Sequence, residues 1–225
     1  MFPFLIQRIM SAIVALCISM TRGLTPIVKL IAYDDERVFT ELQAEWNVLL
    51  RRSTCDNIFS TWEWQSSWWT AYEAGALWVI ACRDDQDRLV AVAPWFIETQ
   101  PGGERVVRSI GCVDVTDYVD VIVEPGYTRQ VYSALAQQLL DESERYDRVN
   151  LCNIPEESPT RTEFPSVLKS CGFDVEVVEQ EVCPVIILPR DFEDYLARLD
   201  KKQRHEIRRK MRRAESEARS GRPRG

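Results

Sequence analysis

Read for the alternation of apolar and polar positions, the chain breaks into short elements that switch between a period of two and a period near 3.6. Residues 26–33 form a β-rich run. Asp34 or Asp35 caps a helix over 36–53, with Val38, Leu42, Trp46 and Leu49 on one face. A second helix covers 61–73. Two strands follow, 76–83 and 89–97, joined by the polar turn D-D-Q-D, a hairpin signal with a longer loop. Pro101-Gly102-Gly103 marks another turn, and 105–110 and 118–123 continue the sheet. Residues 128–145 read as a strong helix, 148–154 as a buried strand, and 160–171 as a helix closed by Gly172. The stretch 173–188 reads as a long strand pair broken near Cys183-Pro184. Antiparallel hairpins mixed with strand–helix–strand units predict an α/β fold, a mixed antiparallel and parallel sheet flanked by helices.

Both ends depart from this rhythm. Asp191 is placed to accept from the backbone at Asp194, and Asp200 at Gln203, so a short helix should lead into a long one. The pair carries a narrow apolar stripe, Leu196, Leu199, Ile207, Met211, Ala214 and Ala218, which needs a partner surface from the preceding domain or from self-association. Arg204/Arg208, Arg208/Arg212 and Arg209/Arg213 are i, i+4 neighbours that repel, so the long helix is expected to project and fray. At the other end, residues 2–20 are apolar apart from Gln7, Arg8 and the serines. The uninterrupted run of twelve is too short to span a bilayer comfortably. Leu16 before Cys17 does not fit a lipoprotein site, and Met20 offers an alternative start. A mis-called start and a real signal or anchor both stand open.

Charge sharpens the contrast between the ends. Residues 198–225 hold twelve Lys or Arg against four Asp or Glu, a balance of +8, which leaves 1–197 with 16 against 31, or −15. A basic helix next to an acidic body is either a solvated face or an anion-binding row, with Arg204, Arg208 and Arg212 as the candidates. At 225 residues and 45% hydrophobic, the chain holds one large or two small domains and is not disordered. Its seven cysteines form no C-x-x-C pair and sit mostly in apolar runs, which predicts reduced, buried thiols. A cytoplasmic setting is expected, or membrane association if the leader is real.

Four segments stand in register: F-S-T-W-E-W-Q-S-S-W-W at 59–69, L-V-A-V-A-P-W-F at 89–96, I-G-C-V-D-V-T-D-Y-V-D at 110–120, and L-P-R-D-F-E-D-Y-L-A-R-L-D-K-K-Q-R-H-E-I-R-R-K-M-R-R near the end. In that order and spacing, over about 27–215, the chain resembles the N-terminal half of the CelD-like (cellulose-biosynthesis-associated) acyltransferases of the GNAT superfamily. The resemblance implies a GNAT-like domain over 25–190, after a leader at 1–24. It also implies that 191–225 begin a second, truncated GNAT-like domain of the kind that carries the acyl-donor site. The implied activity is acyl transfer from acetyl-coenzyme A or another acyl-coenzyme A to an amine or hydroxyl of a small-molecule or glycan acceptor. Polysaccharide or cell-envelope metabolism is the implied setting, and whether the chain is active without that second domain stands open. The alternative is a non-catalytic glycan- or partner-binding module with a basic tail. No specific nucleic-acid partner is expected.

Local chemistry adds few candidates. Arg108-Ser-Ile-Gly111-Cys-Val113 approaches the GNAT phosphate loop, but β-like sequence rather than a helix follows it, so the required context is missing. Trp62, Trp64, Trp68, Trp69 and Tyr72 cluster on one helix. Packing explains Trp64/Trp68 and Trp68/Tyr72 as i, i+4 pairs, which leaves Trp62 and Trp69 as candidates to stack on a substrate. Asp114, Asp117, Tyr118 and Asp120 form an acidic patch at a loop-to-strand junction, where Asp117 and Tyr118 are the candidates for acid–base work. His205, the single histidine, lies in the basic helix without a nucleophile motif, and no metal-ligand cluster is expected.

Overall fold

The two longest apolar runs become the centre of the sheet. In the computed structural model, which describes residues 2–8, 28–112, 115–184 and 186–219, they form β3 (Ala76–Arg83) and β4 (Leu89–Thr99). Both are buried almost throughout because each face of the sheet carries a core. Trp78, Ile80, Cys82, Ala93 and Trp95 face one cluster, while Leu77, Val79, Ala81, Val92 and Phe96 face the other.

The remaining strands are β1 (Phe2–Arg8), β2 (Lys29–Tyr33), β5 (Arg105–Ser109), β6 (Ile122–Val123), β7 (Arg148–Ile154) and β8 (Phe173–Val177). Their order is β2-β3-β4-β5-β7-β1-β8, with β6 also on β4. Pairing is antiparallel except between β5 and β7, where Val106 faces Arg148 and Val107 faces Val149 in parallel. β5 and β6 share one edge of β4, as a single strand interrupted by the excursion 110–121. Pro94, which has no N–H to donate, sits on β4 where that edge passes from one strand to the other.

Helices cover both faces. On one, α1 (Arg37–Glu41), α2 (Gln43–Leu50) and α3 (Trp62–Tyr72) bury Val38, Trp46, Leu49, Trp68 and Trp69. On the other, α4 (Thr128–Asp141) buries Val131, Tyr132, Leu135, Ala136 and Leu139 at helical spacing, beside Phe164 and Leu168 of α6 (Phe164–Ser170). This is the expected α/β architecture, a mixed sheet flanked by helices.

Several expected elements are shorter than their apolar patterns. The helix over 36–53 is broken at Leu42, and the one over 160–171 divides at Glu163 into α5 (Pro159–Thr162) and α6, where Pro165 has no N–H to continue the ladder. Of 118–123 only Ile122–Val123 is strand. Among the described residues of 173–188 only β8 is strand, because no ladder partner extends past Val177, which pairs with Phe4. Phe2–Arg8, read as part of an apolar leader, forms a strand between β7 and β8. Residues 9–24 of that leader lie outside the described residues.

The chain divides into two compact units, Met1–Val182 and Cys183–Gly225. The second holds α7 (Phe192–Arg198) and α8 (Lys201–Arg219). Both expected caps form: Asp191 accepts from the Asp194 N–H at 2.8 Å and Asp200 from the Gln203 N–H at 2.8 Å. The expected arginine repulsion is offset by interspersed carboxylates. Arg209 pairs with Glu206, Arg213 with Glu217, and Arg208 with Glu193.

Candidate functional site

The tryptophan helix is set by two local caps. Asn57 accepts from the Phe59 and Ser60 N–H groups and closes a 3-10 turn over Ile58–Ser60. Thr61 then accepts from the Trp64 N–H and donates to the Ile58 carbonyl, which starts α3. The helix ends at Glu73, which takes the left-handed conformation at φ 40°.

That geometry distributes the indoles differently from the sequence expectation. Trp62 donates its indole N–H to the Phe39 carbonyl at 2.7 Å. Trp69 donates to Glu36 at 3.2 Å and packs edge-on to Phe96. Both candidates therefore bind α3 to the helix pair α1–α2 and the sheet. The ligand-sized opening lies beside the other two: a cavity of about 350 Å³ lined by Ile58, Thr61, Glu63, Trp64, Ser67 and Trp68. Trp64 is held there by a 3.1 Å bond from its N–H to the Thr116 hydroxyl and by Phe59 edge-on at 4.9 Å. Trp68 packs between Tyr72 and Phe96. The i, i+4 spacing of Trp64 and Trp68 was the visible signal, and packing alone accounted for it at the level of sequence.

The acidic patch is dispersed. Asp114 lies outside the described residues and Asp117 is exposed. Tyr118 is half-buried with its ring 6.3 Å from Phe59, the residue that packs edge-on to Trp64. Asp120 is enclosed. Burial pushes its carboxyl up to about 6, against hydrogen bonds from the Ser158 and Thr160 hydroxyls and the Val121 N–H. Burial likewise raises the thiol of Cys55 and the phenol of Tyr132, and the Asp120 charge adds to each. Nothing in the sequence pattern distinguished Asp120 from its exposed neighbours.

The thiol expectation needs correction. Cys112 and Cys152 form a disulfide with Cα atoms 5.9 Å apart, bridging two chain segments 40 residues apart in sequence. Cys55 and Cys82 are free and buried as expected, Cys171 is half-buried and Cys183 exposed. Cys17 lies outside the described residues.

The excursion that contains Cys112 occupies the sheet where β5 and β7 part. Backbone groups at such a parting are available to a ligand unless the chain uses them. Here the Val119 N–H donates to the Asn153 carbonyl at 3.1 Å, and the Asn153 side chain donates to the Thr116 carbonyl at 2.7 Å. A coenzyme A pyrophosphate would need unpaired N–H groups at a helix start. In the Arg108–Val113 segment the Ile110 N–H donates to Pro94 and the Cys112 N–H to Ser109. Gly111 has φ 96°, with the space beside it filled by Val119 and Thr116, and among the described residues no α-helix follows before Thr128. The described residues of this segment therefore do not form a coenzyme A cradle.

Arg204, Arg208 and Arg212 lie on α8, Arg208 already paired with Glu193, and His205 is exposed. A second cavity, about 620 Å³ beside Gly75, includes Arg105 and Arg145, which are already paired with Asp147 and Asp34. Among the described residues no helix is long and apolar enough to cross a membrane, and no three His, Cys, Asp or Glu side chains are grouped to hold a metal ion.

No protein-family profile matches the chain, and no curated protein matches it. Among solved structures it is similar to an acetyltransferase of Trypanosoma brucei, at 17% identity and a TM-score of 0.42, over 71% of this chain and 99% of that one. A likeness of that degree is weak and carries no functional argument.

Proposed function

We propose that the unit spanning residues 2–182 is the acceptor-binding half of a GNAT-type acyl-transfer system, and that it does not itself hold the acyl-coenzyme A. The CelD-like sequence resemblance supports acyl transfer to an amine or hydroxyl in polysaccharide or cell-envelope metabolism. The observation that carries the division of labour is the sheet parting between β5 and β7. Thr116 and Val119 fill the space beside Gly111 there, and the Asn153 bonds and the Cys112–Cys152 bridge tie the segment to β7. The ligand-sized cavity at Trp64 and Trp68 supports the acceptor side. The same cavity serves the second reading, a glycan- or partner-binding module that takes no part in acyl transfer.

Calorimetric titration of the chain with acetyl-coenzyme A tests the division. No saturable heat is expected up to millimolar ligand, and no coenzyme A thiol should be released in the presence of amines. Saturable binding in the micromolar range would overturn the reading, because it requires a donor site within this chain.

A further inference from the structure

We propose that α8 of one chain docks on the outer face of α3 in a second copy, with Met211 in the Trp64–Trp68 cavity and the arginine row of α8 along the acidic margin of α3. This extends the partner-binding reading of that cavity and stands apart from the donor question. On α3, Ile58, Thr61, Trp64 and Trp68 line the cavity at spacings of three and four, so it runs along the helix. Ile58 is 64% exposed and Tyr72, packed on Trp68, is 50% exposed. On α8 the apolar stripe runs from the half-buried Ile207 through Met211, which is 41% exposed, to Ala214 and Ala218. The stripe from Ile207 to Ala218 and the helix from Thr61 to Tyr72 are equal in length, each about 16 Å at the α-helical rise, so one matches the other end to end.

Charge selects the partner. Residues 53–82, which contain α3, hold no Lys or Arg, and their charged residues Asp56, Glu63 and Glu73 are all exposed. The Asn47 amide holds the Glu63 carboxyl below its ordinary range, so the margin of the cavity is anionic. On α8 the charges are matched unevenly. Arg209 and Lys210 pair with Glu206, and Arg213 with Glu217. Arg204, Arg208 and Arg212 instead follow one another at i, i+4 beside the stripe, with one carboxylate, Glu215, at the end of the row. Arg208 is paired with Glu193, while Arg204 and Arg212 are in no ion pair among the described residues. An apolar stripe edged by unmatched guanidiniums fits an apolar groove edged by carboxylates. Other occupants fit less well. A second α8 offers no acidic row, and a stripe whose large residues are Ile207 and Met211 alone is too small to anchor in a bilayer. Met211 is an unbranched thioether, the kind of side chain that fills an irregular aromatic cavity. Two such contacts related by a two-fold axis close a dimer.

Sedimentation velocity of the full chain, from micromolar to millimolar concentration, should show a reversible monomer–dimer equilibrium that weakens as salt is added. Met211→Glu on α8 and Ile58→Glu on α3, both at exposed positions, should each weaken dimerisation about tenfold or more, with far-UV circular dichroism establishing that each variant is folded. Mixing the two variants is the decisive arm. The Ile58→Glu chain keeps an intact α8 and the Met211→Glu chain an intact α3, so together they should form a heterodimer through one restored contact at concentrations where each alone is monomeric. The proposal is overturned if the full chain stays monomeric, if folded Ile58→Glu dimerises as the parent does, or if the mixture associates no better than either variant. Binding of a monomeric chain to phosphatidylserine vesicles, lost in Met211→Glu, would overturn it in favour of a lipid surface. The acetyl-coenzyme A titration reads the donor question whichever of these outcomes is obtained.

Discussion

Asp120 should make the protein less stable as pH rises from about 4 to about 6, and Asp120→Asn should reverse that loss. The carboxyl is enclosed with no cation contributing to its titration. Its donors form a chain: Tyr132 and Thr160 are bonded at 3.0 Å, Thr160 and Ser158 donate to Asp120, and the Val121 N–H donates at 2.8 Å. Burial nevertheless wins and raises the group from 3.8 to about 6. The folded chain therefore binds this proton more tightly than the unfolded chain between those limits. Stability contributed by the protonated form is complete below about pH 4 and is lost as pH climbs through 6. The difference amounts to roughly 3 kcal/mol, at about 1.4 kcal/mol per tenfold change in proton affinity.

Asn is the neutral isostere of the protonated acid. Its oxygen keeps the Val121 bond, and the Ser158 and Thr160 hydroxyls have lone pairs for its amide. Denaturant unfolding should be followed by tryptophan fluorescence, because all seven tryptophans lie between residues 46 and 95 and report the first unit alone. The variant-minus-parent difference should be near zero below about pH 4, rise through about pH 5, and level off above about pH 6 at about 1–3 kcal/mol in favour of Asn. Using the difference removes carboxylates of opposite sign. Glu45 beside Arg83 and Asp147 beside Arg105 are lowered, so their contributions are lost as pH falls. A difference that is flat with pH, or an Asn variant that is less stable at pH 8, would show that Asp120 is not a buried, uncompensated charge.

Two further substitutions test the frame around the site. A Cβ at Gly75 would lie 2.2 Å from the Ile97 carbonyl oxygen, a backbone atom that cannot rotate away; Gly75→Ala should cost about 1–3 kcal/mol in the same unfolding assay. Asp200→Ala removes the cap on α8 and should lower helix stability by about 1 kcal/mol, seen as loss of far-UV helical signal with the tryptophan transition unchanged.

What could be read from the sequence was whatever one segment decides for itself. The β3–β4 hairpin, the apolar face of α4 and both aspartate caps depend on local period and capping chemistry, and they form where expected. The failures are non-local. Leu42 lies in an uninterrupted apolar pattern, yet the helix turns there. Residues 178–188 have strand-like composition, but a strand exists only where a neighbour supplies hydrogen bonds. The disulfide joins residues separated by 40 positions, and no spacing rule pairs Cys112 with Cys152 rather than with Cys82 or Cys171. At the candidate site the residue types were visible and their assignments were not. Trp62 and Trp69 face backbone and carboxylate partners on α1 and its approach, whereas the packing pair Trp64 and Trp68 borders open space. Which of four indoles meets solvent is fixed by the position of α3 against α1, and that information is absent from α3's own sequence.

The excursion 110–121 explains why these properties occur together. Its Thr116 hydroxyl fixes Trp64, and its Thr116 carbonyl accepts from Asn153, so one residue links the wall of the cavity to β7. Val119 fills the parting beside Gly111, and Asp120, next along the chain, is carried under α4 and α5 to the Ser158 and Thr160 hydroxyls. A buried carboxylate is a costly group to place there, but moving it out would also withdraw Val119 and Val121, both about 2% exposed or less. The apolar neighbours hold the acid in place, and the acid's hydroxyl partners fix α5. The same segment thus lies beside Gly111 at the sheet parting and bonds Trp64 at the wall of the cavity. Under the proposed division of roles, a segment placed this way leaves no donor site between β5 and β7, which the acetyl-coenzyme A titration tests.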